Sequence, residues 1–112
     1  MNQIKLKRIE SQILREVSDI IMNDARDNQI KNITITGCNV TNDLSFAKIY
    51  FTTTSDKITM LKDLEEASGY IRGELAERIE IRHIPKIKFV YDESIEYGNK
   101  IESIINAIHE NN

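Results

Sequence analysis

Between residues 24 and 33 the spacing of apolar side chains changes, and that change limits what the chain can become more than any motif does. Upstream, Leu6, Ile9, Ile13, Val17, Ile20 and Ile21 recur every three or four positions from Ile4 to about Asp24. Lys5, Arg8, Gln12, Arg15 and Asp19 fall mostly on the other side. That pattern predicts a long amphipathic helix. Downstream the period is two. In KNITITGCNV, Ile33 and Ile35 share one face, and after Gly37 the apolar parity moves to Cys38 and Val40. A bulge at the glycine would produce that flip. After the polar turn VTNDLS, the segment FAKIYF sets Ala47, Ile49 and Phe51 against Lys48 and Tyr50. Two strands so near in sequence predict an antiparallel hairpin.

A helix is expected next from about Asp56 to Glu66, with Ser55 capping it and Ile58, Leu61 and Leu64 turned inward. A second helical stretch follows, in which Ile71, Leu75 and Ile79 form the core stripe. The single proline, Pro85, stops helix formation and introduces a third strand, KIKFVY, with Ile87, Phe89 and Tyr91 alternating with Lys86 and Lys88. Ile101, Ile104, Ile105 and Ile108 then share a helical face, whose start is either Ser94 or an Asn99–Glu102 capping pair after Gly98. The expected order is α-β-β-α-α-β-α. Each strand has one apolar and one polar face, so helices should cover a three-stranded sheet on one side only. The uncovered face would carry Lys48, Tyr50 and Lys88. At 112 residues this is one α+β domain spanning 1–112, with residues 94–112 as a C-terminal helix and short tail.

Bulk properties exclude some classes. With 40% hydrophobic and 29% charged residues the chain is expected to fold as a soluble globular domain. MNQIKLKRIE alternates apolar and charged residues, which predicts no signal peptide. No apolar run is long enough to span a bilayer. One cysteine, Cys38, excludes an internal disulfide, and a cytoplasmic setting is expected. The net charge of −3 is unevenly spread: residues 89–112 set Lys100 against Asp92, Glu93, Glu96, Glu102 and Glu110. Two basic clusters lie upstream, Lys5 with Lys7 and Arg8, then Arg72, Arg78, Arg82, Lys86 and Lys88. Local sign decides where an anion docks, so nucleic acid stays open as a partner.

No catalytic constellation is legible. His83 and His109 are far apart in sequence, with Arg82 beside the former. Cys38 has no neighbour in sequence that would activate it and reads as a buried filler. Two histidines without a cysteine pair form no zinc set. Neither GxxxxGK nor GxGxxG occurs. The chain is therefore read as no enzyme, with no metal and no cofactor.

The oddest stretch is EEASGYIRGELAERI. It is helical in composition, yet Gly69 and Gly73 lie inside it, each at a cost of about 0.5–1 kcal/mol relative to alanine. On a helical wheel Gly69, Gly73 and Ala76 form a narrow ridge away from the core stripe, with Arg72 between. Missing side chains on an outward ridge leave room for something to approach the backbone. Two readings follow. Ala67, Ser68 and Gly69 break the helix, and Ser68 caps the second half. Alternatively, the break also presents unpaired N–H groups to an anion such as phosphate.

ITITGCNVTNDLSFAKIYF, and EEASGYIRGELAERIEIRHIPKIKFVYDESIEYG after it, together resemble the hairpin and the central and C-terminal motifs of the ribosome-binding factor A family. The N-terminal amphipathic helix matches in place. The combination of Ala-x-Gly followed by Ile-Arg, then R-x-x-P and F-x-x-DES-I-x-x-G, carries the resemblance. It implies a type II KH-like fold in which a helix–kink–helix at Ala67, Ser68 and Gly69 replaces the GxxG loop of other KH domains. It also implies binding to the small (30S) ribosomal subunit and its 16S RNA, with help in late maturation, 5′-end processing and growth in the cold. Two departures stand out. Asp24-Ala25-Arg26 stands where the family often has Asp-Pro-Arg, and the chain stops soon after the expected last helix, without the long tail of some members.

The resulting expectation is a monomeric ribosome-assembly factor, with a ribosome-associated GTPase as a further partner and no membrane association. From charge placement, Lys5, Lys7, Arg8, Arg72, Arg78, Arg82, Lys86 and Lys88 are the candidate phosphate contacts. The alternatives are a protein–protein interaction module using the Gly69–Gly73 ridge, and a small hydrolase using His83.

Overall fold

The computed structural model describes residues 2–24 and 32–94. Helix α1 runs Gln3–Asp19 and continues as one π-helical turn, Ile20–Asp24. Asn2 caps it, its side-chain oxygen accepting from the Ile4 amide at 2.8 Å. All six residues of the expected stripe, from Leu6 to Ile21, are buried. Glu10 Oε1 accepts from the Val40 amide at 3.2 Å and so ties α1 to the hairpin end of the sheet.

Strands β1 (Ile33–Val40) and β2 (Phe46–Thr53) form the expected antiparallel hairpin. Ile35 pairs with Phe51 and Gly37 with Tyr50, so Thr36 has no opposite residue; this is the bulge that flips the parity. The turn is held by Asp43, which accepts from the Ser45 amide at 3.0 Å and the Thr41 hydroxyl at 2.8 Å. Leu44 takes a left-handed φ of 61°, a conformation costing about 1–2 kcal/mol, and its side chain packs on the core.

Strand β3 (Lys86–Tyr91) pairs with β2 in parallel, giving the order β1-β2-β3. Parallel neighbours need a crossover, and helix α2 (Lys57–Arg78) supplies it. Both helices pack on the face formed by Ile33, Val40, Ala47, Ile49, Phe51 and Phe89, as an α+β domain with one open sheet face requires.

Helix α2 departs from the expectation in four ways. Its cap is Asp56 rather than Ser55: the carboxylate accepts from the Thr59 amide at 3.0 Å. Ile58 is therefore turned outward, 74% exposed, and Met60 takes the inward place. The two expected helices are a single one of 22 residues that runs unbroken through Ala67, Ser68 and Gly69. The reason lies in the stripe. Met60, Leu64, Ala67, Ile71 and Leu75 follow at intervals of three and four across the glycine, so both halves bury the same face. Burial of each large apolar side chain is worth about 1.5–3 kcal/mol, more than a helical glycine costs. No described glycine has positive φ, and the Ser68 hydroxyl donates back to the Glu65 carbonyl at 2.7 Å instead of capping a new helix. Lastly, α2 ends at Arg78, so Ile79, expected on the helical stripe, is an extended cap residue and Arg82 lies in the loop before β3. Ile79 and Pro85 anchor that loop in the core.

The expected stripe of Ile101, Ile104, Ile105 and Ile108, the Asn99–Glu102 capping pair and the Ala25-Arg26 helix exit lie outside the described residues.

Candidate nucleic-acid interface

The outward ridge of α2 faces open space. A Cβ built at Gly69 or Gly73 would meet no atom of the described residues within 4 Å beyond the adjoining turns of its own helix. Gly69, Gly73 and Ala76 form one wall of an open groove of about 430 Å³, and Arg82, His83 and Ile84 of the following loop form the other. Arg72 sits between them. Its Nη2 donates to the Ile84 carbonyl at 2.9 Å and holds the loop at its distance from the helix. Arg72 Nε is buried and has no hydrogen-bond partner among the described residues. Arg82 and His83 are exposed. Among the described residues the groove therefore has two guanidinium groups, no carboxylate lining it, and a helix wall nearly stripped of side chains. Such a surface suits a polyanion whose backbone must come close to a helix.

The remaining candidates are scattered over other faces. Arg78 is not in the groove. Its Nη1 lies 2.7 Å from Asp19 and 3.3 Å from Glu16, and Glu74 is 3.8 Å from Nη2, so its charge joins α2 to α1. That pairing holds the Asp19 carboxyl below its ordinary range, with a smaller contribution from Asn23. Lys5, Lys7 and Arg8 are exposed along the N-terminal half of α1. Lys86 and Lys88 project with Lys48 from the open face of the sheet, where Lys48 and Lys88 are direct cross-strand partners. Only Arg72 and Arg82 of the eight candidates line the groove.

The sequence offers His83 only as the candidate residue of a small hydrolase and does not single out Ile84, because the place of both in the groove depends on Pro85 anchoring the loop against the core. The position of both just before the sole proline was the available signal. Cys38 is a packing group: burial, and then the nearby Glu10 charge, push its thiol up to about 12. Among the described residues no group of three or more His, Cys, Asp or Glu could hold a metal ion, and no helix is long and apolar enough to cross a membrane.

Comparison with known proteins agrees with this architecture. The ribosome-binding factor A family profile matches residues 5–105. A ribosome-binding factor A of Staphylococcus epidermidis is 43% identical over 114 aligned positions, covering 99% of this chain and 98% of that protein. That of Staphylococcus carnosus is 44% identical, covering 97% of each. The crystal structure of ribosome-binding factor A from Thermus thermophilus superposes with a TM-score of 0.75 at 20% identity, over 80% of this chain and 97% of that one. A Thermus thermophilus homology model fitted into the cryo-EM map of a 30S complex gives 0.67 at 21% identity, over 77% and 93%. With a profile match across most of its length and near relatives aligned end to end, the chain belongs to the ribosome-binding factor A family.

Proposed function

We propose that this protein is a ribosome-assembly factor that docks on the small ribosomal subunit, and that the groove beside Gly69 and Gly73 receives the RNA backbone there. The names of its relatives and the 30S complex of one structural neighbour support the partner. The observation that carries the site is the glycine ridge itself. Two helical glycines with open space above them, flanked by Arg72 and Arg82, leave a phosphate free to approach the helix backbone. Phosphate contacts position a protein without reading sequence, so the shape of the assembled subunit would supply specificity. Help in late subunit maturation and in processing the 16S RNA 5′ end, with a consequence for growth in the cold, belongs to this reading. So do action in the cytoplasm, as a monomer and without catalysis, and release by a ribosome-associated GTPase.

Arg82 and His83 are the groove residues to test, because both are exposed whereas Arg72 also holds the loop. The double variant Arg82→Gln/His83→Gln should keep the thermal stability of the parent and lose co-sedimentation with isolated small subunits. Parent binding should also weaken steeply as salt rises from about 50 to 200 mM. Retained co-sedimentation of the variant would take the RNA out of this groove. Salt-insensitive binding of the parent would favour a protein contact on the ridge instead.

A further inference from the structure

The open face of the sheet carries a second arrangement that the groove does not use. Tyr50 pairs across the hairpin with Gly37, and its Cδ2 lies 3.6 Å from where a side chain on Gly37 would begin. The phenol reaches along β1 until its oxygen accepts from Asn39 Nδ2 at 3.2 Å. The ring is thus laid against β1 instead of standing off the sheet, fixed at both ends, and stays partly exposed. A Cβ at position 37 would lie in ordinary van der Waals contact with the ring. Two residues along β2 on the same face, Lys48 and Lys88 stand side by side, and two residues further Phe46, 50% exposed, lies next to Lys86. No outward side chain of the three strands is acidic. Asp92, just beyond β3, is engaged by Thr36 and Ser94.

We infer that this face is a separate binding surface for single-stranded RNA, with a base stacked on the Tyr50 ring and the neighbouring phosphates set on Lys48 and Lys88. An aromatic ring held flat gives any base a stacking partner at little entropic cost, and lysines beside it track the backbone. A duplex, whose bases are stacked already, gains only the lysines. The phenol hydroxyl orients the ring; the ring is the contact. The inference rests on the RNA-binding reading of the chain but concerns a different face of the molecule, on the far side of the sheet from both helices.

Fluorescence anisotropy with a labelled single-stranded RNA of about ten nucleotides tests it, in about 50 mM salt and with the full chain. Tyr50→Leu should weaken binding about fivefold or more, and Tyr50→Phe, which keeps the ring and loses only the Asn39 bond that orients it, should weaken it less. Lys48→Gln/Lys88→Gln, which leaves the core untouched, should lower the slope of log K against log salt by about 1.4. The proposal is overturned by parent-like binding of Tyr50→Leu, by a duplex of equal length binding as tightly as the single strand, or by no binding to the parent. Each of those outcomes leaves the groove reading standing, since subunit co-sedimentation tests it separately.

Discussion

Arg78 Nη1 lies 2.7 Å from Asp19 Oδ2, joining two residues that are 59 positions apart in the chain. With Glu16 at 3.3 Å, the last turn of α2 is pinned to the end of α1 above a sheet that both helices share. The arginine that charge placement offered as an RNA contact thus has a structural task. Arg78 and Glu16 are each about three-quarters shielded from solvent, so that pair is screened less than a surface ion pair, whereas Asp19 is half exposed. Arg78→Ala should lower the melting temperature by a few degrees and leave small-subunit binding unchanged where the variant is folded. Arg78→Lys should recover part of the loss, since an ammonium cannot present the guanidinium fork to two carboxylates. Thermal circular dichroism reads the first effect and co-sedimentation the second. Loss of binding in a stable Arg78→Ala would return this residue to the RNA contacts.

Stability should also fall on the acid side for an identifiable reason. Four carboxyls are held below their ordinary 3.8 in the fold: Asp19 by Arg78, Asp43 by Ser45, Asp56 by Thr59, and Asp92 by Ser94 and then Thr36. Asp43 is lowered to about 2. A carboxyl depressed in the folded state contributes stability that is present above its unfolded pKa and lost as pH falls through its folded pKa. The melting temperature should therefore be level from neutrality down to about pH 5, then drop increasingly below about pH 4. Asp56→Asn keeps an amide oxygen to cap α2 but cannot titrate, so its curve should drop less in acid. A parent whose melting temperature holds level to about pH 2 would contradict the hydrogen-bonding pattern of these four groups.

Cys38 gives a prediction of the opposite kind. Its thiol, pushed from 9.0 up to about 12 by burial, is protonated at any ordinary pH. The thiolate is the reactive form, so the folded protein should react only slowly with a chromogenic disulfide reagent at about pH 8. One full equivalent should appear on unfolding in denaturant. Burst labelling of the native protein would show an exposed thiolate and remove Cys38 from the core side of β1.

Short-range pattern made most of the fold legible, and long-range pairing hid most of the site. The stripe from Leu6 to Ile21, the hairpin and the bulge beside Gly37 all follow from which neighbours are apolar; the structure buries the stripe and pairs the strands as expected. Ser55 and Asp56 are both good caps, and only the hydrogen bond to Thr59 decides between them. The unbroken α2 was hidden for a different reason. A glycine beside a serine signals a break locally, whereas continuity of the stripe from Leu64 through Ala67 to Ile71 is a property of the longer segment. Partners such as Arg78 with Asp19, or Arg72 with the Ile84 carbonyl, arise only when distant elements meet. The bed that Gly37 makes for the Tyr50 ring likewise requires the register of the hairpin.

Gly69 and Gly73 supply the most discriminating prediction, because stability and function should move in opposite directions. Neither has positive φ, neither breaks α2, and among the described residues a methyl group at either would touch nothing within 4 Å beyond its own helix. On stability alone both positions should favour alanine. Gly69→Ala and Gly73→Ala should each stabilise the protein by about 0.5–1 kcal/mol, raising the denaturant midpoint with the slope unchanged. The same methyl groups would project from the helix wall of the groove into the path of an approaching backbone. Small-subunit binding should then weaken in both single variants, and further in the double one. Full binding by a stabilised Gly69→Ala/Gly73→Ala protein would mean that nothing comes near the helix there, and the groove would lose its claim to the RNA. Weakened binding by a more stable protein admits no explanation through unfolding. It would show that the open ridge is kept for contact, at a standing cost to the helix.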